Sequence, residues 1–138
     1  MSVYARTSNL AAYQSAAAHG GVAASDPHGL VVMLMDGALE RIAMARGAMQ
    51  RGDTTEKARL LNRTVSIVAE LRGSLDLSAG GQIAANLSEL YDYMNRRLLT
   101  ALANNQIDAL DEVSRLLTDI RSAWVAIPAQ ARVRKAGP

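Results

Sequence analysis

Cysteine is absent from all 138 residues. No disulfide, thiolate nucleophile or zinc–thiolate site is available, although that absence does not choose a compartment. Phenylalanine is absent too, and the aromatics are four tyrosines and one tryptophan. With 49% apolar residues, the core must be built from Ala, Leu, Ile, Val and Met. Such a core suits closely packed helices, because small side chains let the axes approach. No uninterrupted apolar run approaches the ~18 residues that a membrane-spanning helix needs, so no membrane insertion is expected. The N-terminus has no basic region followed by an apolar one, so no signal peptide is expected. A cytoplasmic protein is the expectation.

The catalytic signatures are equally sparse. The histidines are His19 and His28, and neither has a glutamate three residues before it. The Glu-x-x-His pairs of a di-metal bundle are therefore missing. No Ser/His/Asp arrangement has a histidine on a rigid element, and the methionines read as core filler rather than haem ligands. Gly80-Gly81 precedes a helix but carries no dinucleotide or Walker pattern, so it reads as a turn. Neither enzyme activity, metal nor cofactor is expected. The most enzyme-like alternative is an anion held by Arg72, Arg96 and Arg97.

The formal net charge of +2 belongs to one end. Arg132, Arg134 and Lys135 lie in the last eleven residues with no acid among them; without them, twelve basic residues face thirteen acidic ones. The body shows no basic groove, and no nucleic-acid partner is expected.

What the chain does contain is helical periodicity. A chain of this length is one domain of ordinary size, able to bury a core without staples. Residues 1–24 are rich in Ala, Ser and Gly, with Tyr4, Leu10 and Tyr13 as their large anchors. They read as a flexible N-terminal segment, with docking of Tyr13 on the body as the sharper reading. Ser25-Asp26-Pro27 is a helix start. Leu30, Val31, Leu34, Met35, Ala38, Ile42, Ala45 and Met49 follow at helical spacing, and Gly52 ends the run. Asp53 and Glu56 form a capping pattern. The second helix carries two apolar stripes about 100° apart, Ala58/Leu61/Val65/Val68 and Leu60/Ile67/Leu71, so it should touch neighbours on two sides. Ser78–Gly81 reads as a loop. The third helix buries Ile83, Leu87, Leu90, Met94 and Leu98, with Tyr91 and Leu102 widening the stripe. Tyr93 stands on its far side with Asn86, Glu89, Arg96 and Arg97. Asn105 is read as a cap, with Asp108 in the first turn of a fourth helix. That helix carries Leu110, Val113, Leu117, Ile120 and Trp124, and Pro128 stops it.

Four helices with short connections and no alternating strand pattern predict an all-α, antiparallel up-and-down four-helix bundle over residues 25–127. Residues 128–138 are expected to form a basic flexible tail.

The chain also resembles a known family, the FliS-type flagellin export chaperones. The resemblance is carried by Ser74-Leu75-Asp76, Gly80-Gly81, Ile83-Ala84, Asn86-Leu87, Leu90-Tyr91-Asp92-Tyr93-Met94 and Arg96-Arg97-Leu98. Ala12-Tyr13-Gln14, Ser25-Asp26-Pro27, Met33-Leu34-Met35-Asp36-Gly37-Ala38 and Ile120-Arg121 with Trp124 keep the same order. Met35 stands where the family usually has an aromatic, and His28-Gly29 where it has an acidic-basic pair.

The resemblance implies a cytoplasmic chaperone that binds the disordered C-terminal segment of flagellin. It would prevent premature polymerisation and deliver the client to an FlhA-like component of the flagellar type III export gate. A bundle with apolar surface beyond the needs of its own core would offer a helix-in-groove site. The expected groove is Leu60, Ile67, Leu71, Leu87, Leu90, Tyr91, Met94 and Leu98, with Leu10 and Tyr13 as a removable N-terminal cap. The protein is expected to be a monomer or weak homodimer. The alternative is a self-associating helical bundle with no flagellin client.

Overall fold

The structure is a computed structural model that describes residues 26–128. Four helices follow one another: α1 (Pro27–Arg51), α2 (Thr54–Gly73), α3 (Leu77–Asn104) and α4 (Ile107–Val125). Each helix packs on its chain neighbours, and α1 also packs on α4, which closes the antiparallel ring. This is the expected all-α four-helix bundle. The segment 1–24 and nearly all of the tail 128–138, with their expected flexibility, lie outside the described residues.

The helix ends follow local chemistry. Asp26 accepts a hydrogen bond from the His28 amide at 2.9 Å, with Pro27 in the first turn, so an otherwise orphaned donor is satisfied. Gly52 takes φ 73° at the end of α1, and the Asp53 amide donates back to the Ala48 carbonyl at 2.9 Å. That bond occupies the Asp53 amide. Only half of the expected capping box therefore forms: Asp53 accepts from the Glu56 amide at 3.1 Å, while the Glu56 carboxylate turns to Arg59.

Two boundaries differ from expectation. Ser78–Gly81 is not a loop. Asp76 accepts from the Ala79 amide at 3.0 Å and from the Ser78 hydroxyl at 2.9 Å, which starts α3 at Leu77. The helix then kinks at Gly81, whose φ 56°, ψ −135° is a backbone conformation open essentially to glycine. Asn105 caps the C-terminus of α3 in the left-handed region at φ 58°, rather than the start of α4, whose N-cap is Gln106.

The core is the aliphatic one that the composition requires. Met35, Leu61, Leu71, Met94, Leu98, Leu110 and Leu117 are fully enclosed. Ala38, Ala45, Ala48, Ala101 and Ala109 are buried between them, which lets the helices approach. Lys57 is also buried. Its ammonium donates to the Leu102 carbonyl at 3.0 Å and to Asn105 Oδ1 at 2.9 Å. One side chain of α2 thereby satisfies the open end of α3 and places positive charge at the negative pole of that helix.

Candidate binding surface

All eight residues of the expected groove come together in or against one cluster, but six of them lie inside it. Leu60, Ile67, Leu71, Tyr91, Met94 and Leu98 are between 0 and 3% exposed. They are interior packing, not spare surface. The reason is the ring geometry: each helix touches two neighbours, so α2 needs one stripe toward α1 and another toward α3. An apolar arc about 100° wide is what a bundle corner requires. Leu87 and Leu90 differ, being half-buried at the margin of the core. Ile83, expected in the buried stripe, is 75% exposed. It lies two residues past the Gly81 kink and beyond the end of α2, whose last turn already meets Ser88 through Arg72.

The accessible apolar surface therefore lies along the seams of α3. On the α2 side, Val65 and Leu102 are half-buried and Leu99 is exposed. Polar links cross this seam at intervals. The Asn95 amide donates to the Val65 carbonyl at 3.3 Å, and Arg72 Nε donates to the Ser88 hydroxyl at 2.9 Å. Asn95 Oδ1 is enclosed without a partner, an acceptor left unpaid by this packing. Leu75, Leu77 and Ile83 continue the apolar character around the kinked start of α3.

On the α4 side, α3 is joined by a shared carboxylate. Tyr93 Oη donates to Glu112 Oε2 and Arg97 Nε to Glu112 Oε1, both at 2.7 Å. Tyr93 and Arg97 thus lie in the α3–α4 seam rather than on an open far face. The Tyr93 hydrogen bond, then that of Arg97, holds the Glu112 carboxyl below its ordinary range. The same bond to Glu112 pushes the Tyr93 phenol up. The Arg96 guanidinium lies 5.7 Å over the Tyr93 ring. Burial raises the Tyr91 phenol to about 12.

The three arginines of the anion-site alternative do not converge. Arg72 and Arg96 both face Asp92, and Arg97 faces Glu112. Their charges are already met by carboxylates from the bundle itself. Among the described residues no group of His, Cys, Asp and Glu is placed to hold a metal ion. Among the same residues no helix is long and apolar enough to cross a membrane.

Periodicity gave no hint of the contact that ties the start of α1 to the end of α4. The His28 and Trp124 rings stack at 5.0 Å between centroids and 11° between planes. Trp124 Nε1 donates to the His28 carbonyl at 3.0 Å, and His28 Nε2 donates to the Trp124 carbonyl at 2.6 Å. A carbonyl can only accept, so Nε2 carries the proton. Leu10 and Tyr13, the expected cap, lie outside the described residues.

The described residues thus define an all-helical bundle with accessible apolar side chains beside α3 and Arg72, Arg97 and Glu112 held in clasps between helices. The chain belongs to the FliS family. The family described as "Flagellar protein FliS" matches residues 9–131. The chain is 44% identical over 115 residues to the flagellar secretion chaperone FliSB of Pseudomonas aeruginosa, covering 83% of this chain and 91% of that protein. It is 41% identical over 125 residues to the flagellar secretion chaperone FliS of Salmonella typhimurium, covering 90% and 93%. The counterpart in Vibrio cholerae is 38% identical over 120 residues, covering 87% and 88%. The family is one of chaperones, not of enzymes.

Proposed function

We propose that this protein is a cytoplasmic flagellin export chaperone. It binds the disordered C-terminal segment of flagellin one to one, keeps it from polymerising early, and presents it to an FlhA-like component of the type III export gate. The observation that carries this reading is similarity over most of the chain to proteins named flagellar secretion chaperones. The surface is consistent with it. A client helix laid along a seam of α3 would meet Leu87 and Leu90, with Val65, Leu99 and Leu102 on the α2 side. Leu60, Ile67, Leu71, Tyr91, Met94 and Leu98 would form the floor beneath.

Coupled folding of such a segment buries roughly 1,000–3,000 Å² and spends about 2–5 kcal/mol on ordering. At ~25 cal/mol per Å² the apolar gain exceeds that cost, and the entropy of association takes much of the remainder. Tight but releasable binding then needs no nucleotide. Leu10 and Tyr13 would cover the surface in the free protein. A tethered ring acts at high effective concentration, so a weak contact suffices.

The test is capture of purified flagellin, full-length and lacking its C-terminal segment. The full-length protein should co-elute with this chain and the truncated one should not. Equal retention of both, or of neither, would defeat the proposal. A size that grows with protein concentration and ignores flagellin would favour the self-associating bundle.

A further inference from the structure

The charges of the bundle are divided along its length. The half nearest the two chain ends comprises residues 26–39, 64–90 and 117–128. It holds six acidic side chains and two arginines, a net of −4, whereas the opposite half holds seven acids and nine bases, a net of +2. Both arginines of the acidic half are engaged, Arg72 with Asp92 and Arg121 with Asp36. Among the described residues no cation lies within ion-pair distance of Asp76, Glu89 or Asp119 in the same half. That half also carries Leu77, Ile83 and Val125, three of the five large apolar side chains that stand exposed.

Two of the uncompensated acids border one seam. Glu112 of α4 meets Tyr93 of α3. Seven residues are two helical turns, so Asp119 follows Glu112 on the same face of α4. In the antiparallel partner, Glu89 and Asn86 follow Tyr93 toward the same end. Glu89 and Asp119 thus flank the α3–α4 seam as it runs out of the bundle, with Ile83 at its mouth. The chain leaves α4 at this point, through Pro128.

We propose that this acidic, apolar-edged end of the α3–α4 seam is a docking surface for the chain's own residues 129–138. That segment carries Arg132, Arg134 and Lys135, has no acid, and sets Val133 among its cations. Its reach is sufficient. Arg132 and Lys135 can lie about 14 and 24 Å from Pro128 at ~3.5 Å per extended residue. Asp119 lies about 9 Å back along α4 from Val125 at 1.5 Å per residue. Cations of the segment meet Glu89 and Asp119, and Val133 lies against Ile83. Because the tether is short, the effective concentration is of millimolar order and weak charge pairs suffice. This contact is independent of the flagellin reading and stands or falls without it.

The absence of native cysteine makes the experiment direct. A nitroxide is attached to Ala136→Cys in the full chain, and amide broadening is read in the ¹⁵N-labelled protein. Selective loss of signal at Ile83, Asn86 and Asp119 is expected, with Ala48 at the far end unaffected. The loss should vanish at about 1 M salt, where the Debye length falls to ~3 Å. It should also vanish in Glu89→Gln/Asp119→Asn, and in Arg132→Gln/Arg134→Gln/Lys135→Gln, which leaves the bundle untouched. Uniform or absent broadening overturns the proposal, as does broadening that survives salt and both charge variants. Broadening of an unlabelled-thiol ¹⁵N copy by a nitroxide-bearing ¹⁴N copy places a second molecule in the seam, and overturns it too.

Discussion

Replacing Leu98 with alanine removes a fully enclosed side chain from the centre of α3, between Met94 and Ala101. Replacing Leu87 removes the same atoms from a half-buried position on the same helix. The two substitutions separate core from rim without changing chemistry. At Leu98 the lost transfer energy and the residual cavity together cost about 2–5 kcal/mol. At Leu87 part of the side chain is already wet, and with no sealed cavity the cost is about 1–2 kcal/mol. With ~4–8 °C of melting temperature per kcal/mol in a domain of this size, Leu98→Ala should melt roughly 8–40 °C early and Leu87→Ala roughly 4–16 °C early. Circular dichroism read against temperature measures both. The binding consequence runs the other way. At a temperature where both remain folded, Leu87→Ala should weaken the flagellin segment and Leu98→Ala should leave its affinity nearly unchanged. Equal melting temperatures, or a greater loss of client affinity at Leu98 than at Leu87, would refute the division into floor and rim.

Lys57→Met keeps the aliphatic stem but leaves the Leu102 carbonyl and Asn105 Oδ1 without their donor, and should cost about 1–3 kcal/mol in urea unfolding. Glu112 is held below its ordinary range in the folded state. Its contribution is therefore present above the unfolded pKa near 4.5 and is lost as the pH falls through the folded value. Glu112→Gln should flatten the acid limb of the stability profile, and an unchanged limb would count against the clasp. Gly81→Ala forces a side chain into φ 56°, ψ −135° and should cost about 1–3 kcal/mol. It should also speed amide exchange in the Leu77–Gly80 turn, whereas a rise in melting temperature would mean that the kink is not required.

Much of the bundle is legible in the residues themselves. Asp26-Pro27, Gly52 and Asp53 mark helix ends because capping and left-handed backbone depend on residues next to one another. The stripes of α1, α2 and α4 mark buried faces because helical periodicity is local. What escapes is information carried by packing partners. The double stripe of α2 looks like surplus apolar surface until the ring shows that both stripes are covered. Ile83 has the spacing of a core residue but stands beyond the end of α2 and is 75% exposed. Asn105 can cap either of two adjoining helices, and only its left-handed backbone assigns it to α3. Tyr93 and His28 find partners 19 and 96 residues away, distances at which no spacing rule operates. Of the eight residues expected to line the groove, packing leaves Leu87 and Leu90 accessible at the margin of the core.

Calorimetric titration of the flagellin C-terminal segment into the full-length chain tests the central claim most directly. A saturable one-to-one isotherm is predicted, with a heat-capacity change that is clearly negative between 10 and 35 °C, as burial of apolar surface requires. The absence of heat at either temperature, together with no co-elution at tens of micromolar, would contradict it.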